Sequence, residues 1–505
     1  MKRIWLYTFI IAAVCLSTTC LAASRADEIF REAERMESAH NLTRAADLYG
    51  KAMKLYVDSK EEGKAALCRA GYGRIQKITY EFPLTFEEAK AAIKETAPKT
   101  SEKRIDAWLK RPGVAKLTID GKPLYFRSVD KNFAFRNPDV GQSLDHIQKK
   151  YRQYYDIIRK LIDDNKREVL TPGAVYPYKQ PVVYQGKWTL TIERKKLPRK
   201  GTLQLWIPLP VLTGPQTDVN NIVVSPQKYV ILPARIDTDL GLVPMSVPLK
   251  KLAENLLITV DFTFTHHGQR FRIDPANVGS YNVKSALYRE YTASRGNTTF
   301  KWGIRERARK IVGDEVNPYK AARKIYDYVV GQVFYSFMPH YSLDARCYPE
   351  SLYVHLNRYG DCGAQSSYFT ALCRAVGIPA RTTGGYQIIE KGHGSGHFWA
   401  EFYLPNYGWV PVDTSIAQVA DYLPDLTDRE KKEYKDYFFG NMDPYRLVIQ
   451  KDIDIPLTPP AAEPIMLSMA LQDAAALCDT MLSHPGFLVN DGWKYEVKEV
   501  TGREE

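Results

Sequence analysis

The stretch "YGDCGAQSSYFTALCRAVGIPAR", residues 359–381, places a cysteine at the predicted start of a helix. Apolar side chains recur along it at helical spacing, and Gly377 ends the pattern. Asp361 stands at the position of an N-cap, so Cys362 falls in the first turn. The dipole and the free N–H groups of that turn favour a thiolate and can also bind an oxyanion. A cysteine here could still be a packing residue or half of a disulfide, and the rest of the chain must decide.

The segment "GHFWAEFYLPNYGWVPVD", residues 396–413, predicts two strands joined by a short loop. Its even-numbered strand positions are apolar, whereas His397, Glu401 and Asp413 occupy odd positions. Successive side chains of a strand point to opposite faces, so an antiparallel pair with an odd-numbered loop places His397 and Asp413 on one face. The same register is needed to place the apolar, even-numbered side chains of both strands together on the opposite face. The segment therefore predicts an imidazole and a carboxylate on one face of adjacent strands.

Cys362, His397 and Asp413 are thus the candidate catalytic residues. In such a triad the sulfur attacks a carbonyl, the imidazole takes and returns the proton, and the carboxylate orients the imidazole. The periodicity permits this arrangement, because the cysteine opens a helix and its partners lie on neighbouring strands. We expect no cofactor and no metal, since the triad needs neither and the cysteines lack the spacing of a zinc site.

These two segments resemble the bacterial, exported members of the transglutaminase-like superfamily, which have a papain-like core. The matching motifs are a Gly-x-Cys helix, the "GIPAR" turn, and a His strand followed by a Gly-Trp-x-x-x-Asp strand. The segment "FFGNMDPYRL", residues 438–447, also resembles bacterial members. The resemblance implies the same three residues as the triad. It further implies an aromatic oxyanion donor upstream of the cysteine, for which Tyr335 and Tyr341 are the candidates.

The chain of 505 residues is too long for one core, and its patterns predict a multidomain α+β protein. Helical spacing dominates the first part, alternating strands the middle, and a helix packed on an antiparallel sheet the core. The expected parts are a signal peptide (1–22), a tetratricopeptide-like helical hairpin (23–80), a mixed, mostly helical region (81–175), a β-sandwich (176–272), a transglutaminase-like catalytic domain (273–460) and a C-terminal strand and helix extension (461–505). In that extension we expect a helix around "SMALQDAAALCDTML", residues 468–482.

The N-terminus has the layout of a secretory signal peptide, with Lys2 and Arg3 before an apolar run and small residues after it. We therefore expect an exported protein, periplasmic or secreted, with no transmembrane span in the mature chain. Lipid anchoring through Cys20 is the alternative, although Thr19 before it fits such a signal poorly. The net charge of +12 suits contact with anionic envelope polymers, and no motif indicates nucleic acid.

Several further residues are expected to be structural. They are Glu401 (salt bridge or site rim), Gln365 (local hydrogen bond), Trp399 and Trp409 (site wall), His393 (surface loop outside the strand), His266 and His267 (strand end) and Cys68 (helical core). Five cysteines remain after the signal peptide, so at least one thiol of a monomer is unpaired.

These observations predict an exported cysteine-dependent enzyme that acts on amide bonds through a thioester acyl-enzyme. Hydrolysis of a peptide or a related amide is the expected reaction, and the expected substrate is a protein or peptide, for example in the cell envelope. Protein-glutamine transamidation is one alternative, because it shares the acyl-enzyme. A non-catalytic envelope binding or scaffold protein on the same fold is another, and the N-terminal helical module is a candidate docking element for a protein partner.

Overall fold

The computed structural model describes residues 25–167, 177–390 and 393–500. The predicted fold class is confirmed: N-terminal helices precede antiparallel sheets and a helix-and-sheet core. The predicted signal peptide (1–22) lies outside the described residues. Within the described ranges, no helix is both long and apolar enough to cross a membrane.

Three helices open the described chain and share one apolar core: α1 (25–38), α2 (Leu42–Asp58) and α3 (Glu62–Glu81). Their alternation of small and large residues has a packing cause, because a Cβ at Gly71 would lie 2.5 Å from the Tyr49 ring. Cys68 is buried in this core, as expected. The buried Lys77 of α3 donates to Asp344 at 2.8 Å and so fixes the helices to the core that carries the cysteine.

The next region is mostly helical, as predicted, around one hairpin. Asp120 and Gly121 both have positive φ, 48° and 75°, as a two-residue type I′ turn requires. The region consists of α4 (Phe86–Thr96), α5 (Glu102–Leu109), β1 (Lys116–Ile119), β2 (Lys122–Tyr125), α6 (Val129–Arg136), α7 (Pro138–Gly141) and α8 (Asp145–Arg167). The long helix α8 packs its apolar face on the core that carries the cysteine.

Five strands of alternating sequence then begin the predicted β-sandwich. They are β3 (Tyr178–Ile192), β4 (Thr202–Pro208), β5 (Gln216–Ser225), β6 (Leu242–Pro248) and β7 (Leu256–Arg270). Their inward side chains form one apolar core between two sheets, one built on β3 and β7 and the other on β4 and β6.

The elements that follow form the core that carries the cysteine. They are α9 (Ala286–Tyr291), α10 (Ile304–Val312), α11 (Pro318–Gln332), β8 (Phe334–Tyr335), α12 (His340–Ala345), α13 (Glu350–Asn357), β9 (Tyr359–Gly360), α14 (Cys362–Ala375), β10 (Ala380–Glu390), β11 (His393–Leu404), β12 (Gly408–Val412), α15 (Thr414–Ala417), α16 (Asp428–Tyr437), β13 (Asn441–Met442) and β14 (Arg446–Gln450). The main sheet has the order β12-β11-β10-β14. His393 begins β11, so its predicted place outside the strand is wrong.

Helix α14 lies in the middle of this core. Every residue from Gly363 to Arg374 is buried, because the sheet covers one side of the helix and α10, α11 and α13 cover the others. At the positions where a surface helix would have charged side chains, the sequence of α14 has small and hydroxyl-bearing residues. The helix that begins at the cysteine is therefore held on all sides.

The C-terminal extension completes the β-sandwich. β15 (Ala475–Cys478) pairs with β4, and β16 (Trp493–Glu499), which follows α17 (Gly486–Gly492), pairs with β3. The helix expected over 468–482 is therefore wrong, since the alanine-rich segment contains a buried strand. Pairing with β4 and burial outweigh the helix propensity of its alanines.

Candidate active site

Cys362 is the first residue of α14, as predicted. The Asp361 side chain caps the helix, because its Oδ1 accepts the backbone N–H of Ala364 at 3.2 Å. The thiol is partly buried and packs beside Phe398 of β11, one residue after His397. The N-cap thus fixes the start of the helix, and the start of the helix fixes the position of the sulfur.

His397 and Asp413 meet as the strand register predicts. Leu404 pairs with Gly408, so the loop has three residues, an odd number. The apolar side chains of both strands therefore stay on the same face of the sheet. His397 Nε2 lies 2.8 Å from Asp413 Oδ2, and both side chains are buried. Asp413 itself stands one residue beyond β12, where it caps the short helix α15.

Arg446 was missed by the sequence reasoning, although it directly contacts the predicted triad. Its Nη1 donates to Asp413 Oδ2 at 2.8 Å, and its Nη2 donates to Asp443 Oδ2 at 2.7 Å. Both contacts are fully buried. Asp443 and Arg446 both occur in the segment 438–447, whose resemblance to bacterial members was noted from the sequence. Nothing in the pattern of that segment indicated that Arg446 contacts Asp413.

Asp413 is a carboxylate that can only accept hydrogen bonds. Burial alone would raise its pKa, but the neighbouring His397 and Arg446 side chains, aided by the Ile416 N–H, hold the pKa well below its ordinary value. Because Asp413 is ionised, His397 Nε2 must carry the proton of this hydrogen bond. The neutral imidazole then has its lone pair on Nδ1, the nitrogen free to take a proton from a substrate or a thiol.

Cys362 and His397 line the same cavity, which has a volume of about 490 Å³. Gln418 and Ser415 lie beside them, and Tyr335, one of the two candidate oxyanion donors, also lines the cavity. Tyr341 is not among the residues that line the cavity, and its hydroxyl accepts a hydrogen bond from Asn490 at 3.0 Å. Tyr335 is thus the one of the two candidate oxyanion donors that lies near the sulfur.

The expected lowering of the thiol pKa at the helix start is wrong for this structure. Burial raises the pKa of Cys362 to about 12, and the Asp361 carboxylate adds to that rise. The backbone N–H of Phe398 and the charge of His340 act in the opposite direction without overcoming it. Desolvation, which disfavours the thiolate, is the largest of these contributions, so the resting sulfur is a thiol that needs a base.

A second histidine, His340, lies behind the cysteine. Its Nδ1 hydrogen-bonds to Glu350 and its Nε2 to Asp361, the residue that caps α14. Burial alone would lower its pKa, but the Asp361 and Glu350 carboxylates raise the pKa of His340 well above its ordinary value. Burial in turn raises the pKa of Glu350. His340 is therefore an imidazolium with both nitrogens engaged, and no sequence periodicity connects it with its partners.

The residues expected to be structural mostly behave as predicted. Glu401 accepts from Arg381 at 2.6 Å, and Gln365 Nε2 donates to the Gly360 carbonyl at 3.1 Å. The Trp399 ring stacks on His397 with centroids 6.1 Å apart, so it backs the imidazole. Trp409 is an exception, because it packs under Arg381 away from the cavity lining.

The roof of the cavity comes from the region 81–175, whose role the sequence did not reveal. Phe135, Tyr151 and Tyr154 of α6 and α8 line it together with Tyr422 of the core. The sequence contains one sign of this role, the aromatic run "YRQYY" on α8. The amphipathic pattern of the helix explained that run by packing alone. This region is therefore part of the candidate site and more than a linker.

Residues 305–414 match the family model of the transglutaminase-like superfamily. The matched segment contains Cys362, His397 and Asp413, so the predicted transglutaminase-like core is confirmed. The chain accordingly carries a core of a cysteine-dependent enzyme family.

Two curated bacterial proteins are similar to parts of the chain. An uncharacterized protein of Haemophilus influenzae is 32% identical over 168 residues, 27% of this chain and 43% of that protein. The uncharacterized protein YebA of Bacillus subtilis is 24% identical over 189 residues, 33% of this chain and 25% of that protein. The matches therefore span less than half the length of these relatives.

Two solved structures are also similar. One is a candidate cysteine protease from Cytophaga hutchinsonii, with 14% identity and a TM-score of 0.40 over 65% of this chain and 94% of that one. The other is the periplasmic domain of TgpA from Pseudomonas aeruginosa, with 13% identity and a TM-score of 0.22 over 50% of this chain and 92% of that one.

Proposed function

We propose that the protein is a cysteine hydrolase that cleaves amide bonds in a protein or peptide through a thioester acyl-enzyme. The observation that carries the proposal is the His397–Asp413 pair, which leaves the imidazole Nδ1 available in the cavity that Cys362 lines. A buried imidazole oriented by a carboxylate, beside a thiol on a helix start, is the arrangement that acyl transfer requires.

The first half of the reaction forms the acyl-enzyme. The Cys362 sulfur attacks the carbonyl carbon while its proton passes to His397 Nδ1, and the carbonyl electron pair moves to oxygen. Backbone N–H groups at the start of α14 and the Tyr335 hydroxyl are the candidate donors to that oxyanion. The C–N bond then breaks, and the imidazolium returns the proton to the departing amine.

The second half of the reaction regenerates the free enzyme from the acyl-enzyme. His397 takes a proton from water as the oxygen attacks the thioester carbonyl. The C–S bond then breaks, and the imidazolium returns the proton to sulfur, which gives a carboxylic acid, the Cys362 thiol and neutral His397. An amine in place of water would give transamidation by the same steps. Because the resting thiol has a raised pKa, proton transfer to His397 accompanies attack in both cases.

Export is part of the proposal. It is supported by the charged, apolar and small-residue layout of residues 1–22. In a periplasmic or secreted setting the substrate would be a protein or peptide outside the cytoplasm, including those of the cell envelope.

Thiol alkylation tests the enzyme against the non-catalytic alternative. Cys347 is an exposed free thiol in the same chain and serves as an internal reference. At neutral pH, His397→Ala should slow iodoacetamide labelling of Cys362 by at least about tenfold while the rate at Cys347 stays the same. A Cys362 rate that does not respond to His397→Ala would remove the base from the mechanism and favour a binding protein.

A further inference from the structure

One polar side chain in the wall of the cavity, the amide of Gln387 on β10, is buried without a partner for its nitrogen. Gln387 lines the cavity together with Cys362 and His397, and the residue is only 3% exposed. Among the described residues, no group accepts a hydrogen bond from its Nε2. Buried donors in folded proteins almost always have an acceptor, because a donor without one is unfavourable. An unpartnered donor in a cavity wall therefore indicates a group that a bound molecule satisfies.

A second glutamine of the cavity wall, Gln418, has the opposite arrangement. Its Nε2 donates to the carbonyls of Val330 at 2.9 Å and Val333 at 2.6 Å. Its Oε1 accepts from Gln365 at 3.0 Å. The amide of Gln418 is therefore fully engaged in holding the wall, whereas the amide of Gln387 has N–H groups to offer to a substrate.

The strand pattern of β10 explains why Gln387 faces the cavity. Its chain neighbours Tyr386 and Ile388 are buried in the core of the β-sandwich, and successive side chains of a strand point to opposite faces. Gln387 is paired with Ser395 of β11, two residues before His397. Directly paired residues share a face, so the amide and the imidazole lie on the same face of the sheet, displaced along the strand direction.

The sulfur, the imidazole and this amide follow one another along β11. Cys362 packs beside Phe398, the next residue is His397, and Gln387 is paired further on at Ser395. The step from Phe398 to Ser395 covers about 10 Å, at about 3.4 Å per residue. The imidazole therefore lies between the sulfur and the Gln387 amide.

This order decides which side of a substrate meets Gln387. In the proposed mechanism His397 gives its proton to the departing amine, so the amine side of the scissile bond lies over the imidazole. The chain beyond that amine continues past His397 toward Gln387. An extended peptide advances by about 3.3–3.6 Å per residue, so its first or second carbonyl beyond the scissile bond comes within reach of the amide.

We propose that Gln387 is a substrate-binding residue whose Nε2 donates a hydrogen bond to a backbone carbonyl on the amine side of the scissile amide. This inference rests on the proposed function and assigns a specificity-determining residue to it. The enzyme would thereby select a peptide over a simple amine as the leaving group, and equally as the acceptor in amine transfer. One such hydrogen bond should contribute about threefold to tenfold to that preference.

Partitioning of an acyl-enzyme between water and an amine tests the proposal. The Cys362 sulfur attacks the carbonyl of N-acetylglycine p-nitrophenyl ester, the C–O bond breaks, and p-nitrophenol leaves with the proton that His397 took from sulfur. Its colour measures acylation. Glycylglycinamide then competes with water: its nitrogen attacks the thioester carbonyl, and its proton passes through His397 to the departing sulfur. The products are N-acetyltriglycinamide and N-acetylglycine, and their ratio is measured by liquid chromatography after subtraction of the reaction without enzyme.

Glutamine variants locate the effect. Gln387→Met keeps the length of the side chain without its donors and should lower the ratio for glycylglycinamide about threefold to tenfold. Gln387→Glu replaces the donors with acceptors and should lower it as well. The ratio for n-pentylamine, which has no carbonyl, should not change in either variant, and neither should the rate of p-nitrophenol release.

Gln148→Met is the matched control variant. Gln148 lies on α8 outside the cavity lining, and its Nε2 already donates to the Tyr422 carbonyl. The same substitution there should leave the glycylglycinamide ratio unchanged. Because a product ratio does not depend on the amount of active enzyme, partial unfolding of a variant does not alter it.

The outcomes separate this inference from the proposed function. If the glycylglycinamide ratio is the same in the parent protein and in both Gln387 variants, the amide does not bind the amine side and the inference is overturned. An equal loss with n-pentylamine, or with Gln148→Met, would overturn it too, because the cause would then be a general distortion. In each of these cases the His397-dependent nucleophile stands. If the parent protein releases no p-nitrophenol in a manner that depends on Cys362 and His397, the proposed function itself fails.

Discussion

Two histidines near Cys362 are each bound to carboxylates, yet their environments give them opposite properties. His397 has one carboxylate partner, Asp413, and that carboxylate is also bound by a buried arginine. His340 has two, Glu350 and Asp361, and among the described residues no arginine forms an ion pair with either of them. The first histidine therefore keeps one nitrogen for chemistry, whereas the second uses both nitrogens to hold structure.

The difference shows how charge counting decides the role of an imidazole. With Arg446 sharing Asp413, the carboxylate orients His397 while part of its charge is already neutralised. With two carboxylate partners, His340 is held as an imidazolium. A proton acceptor and an imidazolium held by two carboxylates thus arise from the same residue type near one thiol.

Replacement of the two histidines should separate these roles most strongly. We expect His397→Ala to lower kcat/KM for a peptide substrate by about 10³-fold, because the base is lost. His340→Gln should lower it by about tenfold or less, since it alters a charge beside the thiol and no reacting group. Losses of equal size in the two variants would contradict the distinction.

Arg446 provides the next largest effect. Arg446→Met leaves two buried carboxylates, Asp413 and Asp443, without their shared cation and should lower the free energy of unfolding by about 3–5 kcal/mol. Urea unfolding monitored by tryptophan fluorescence measures this change in the free energy of unfolding. Arg446→Met combined with Asp443→Asn removes one of the stranded charges and should recover part of the loss; no recovery would argue against the charge-sharing explanation.

The smallest effect concerns the pH dependence of stability through His340. Because its pKa is raised on folding, the stabilisation is fully present below its ordinary pKa of about 6.5 and is lost as pH rises through the folded value. The difference in unfolding free energy between the parent protein and His340→Gln should therefore shrink above about pH 6.5. Its slope should be at most about 1.4 kcal/mol per pH unit. A difference that stays constant from pH 6 to 9 would show that His340 is not held as a cation.

Local pattern was enough to predict the fold class and the His397–Asp413 contact. The strand alternation and the odd loop fix that contact, because register is determined by residues close in sequence. The roles of Arg446 and His340 depend on partners 33 and 21 residues away, across separate elements, and no period connects them. The strand at Ala475–Cys478 was missed for the same reason, since its partner β4 lies far earlier in the chain.

The thiol pKa shows a different limit. A helix start can be recognised from Asp361 and Gly377, but the degree of burial of the first residue depends on what packs over it. Here Cys362 packs beside Phe398 under the aromatic roof of the cavity, and burial is the largest cause of its raised pKa. The sequence can identify groups that would change the pKa of a thiol, but it does not show how deeply the thiol is buried, and burial determines the size and direction of the change.

The complete enclosure of α14 has a consequence for how the protein loses activity. A helix buried on every side opens only when its surroundings open, so its amide hydrogens should exchange with solvent at rates set by global unfolding. The nucleophile would then survive heating and denaturant until the cooperative transition itself, while the outer helices exchange earlier. The cysteine thus begins a helix whose amide hydrogens should exchange slowly, and loss of the proposed activity should coincide with unfolding.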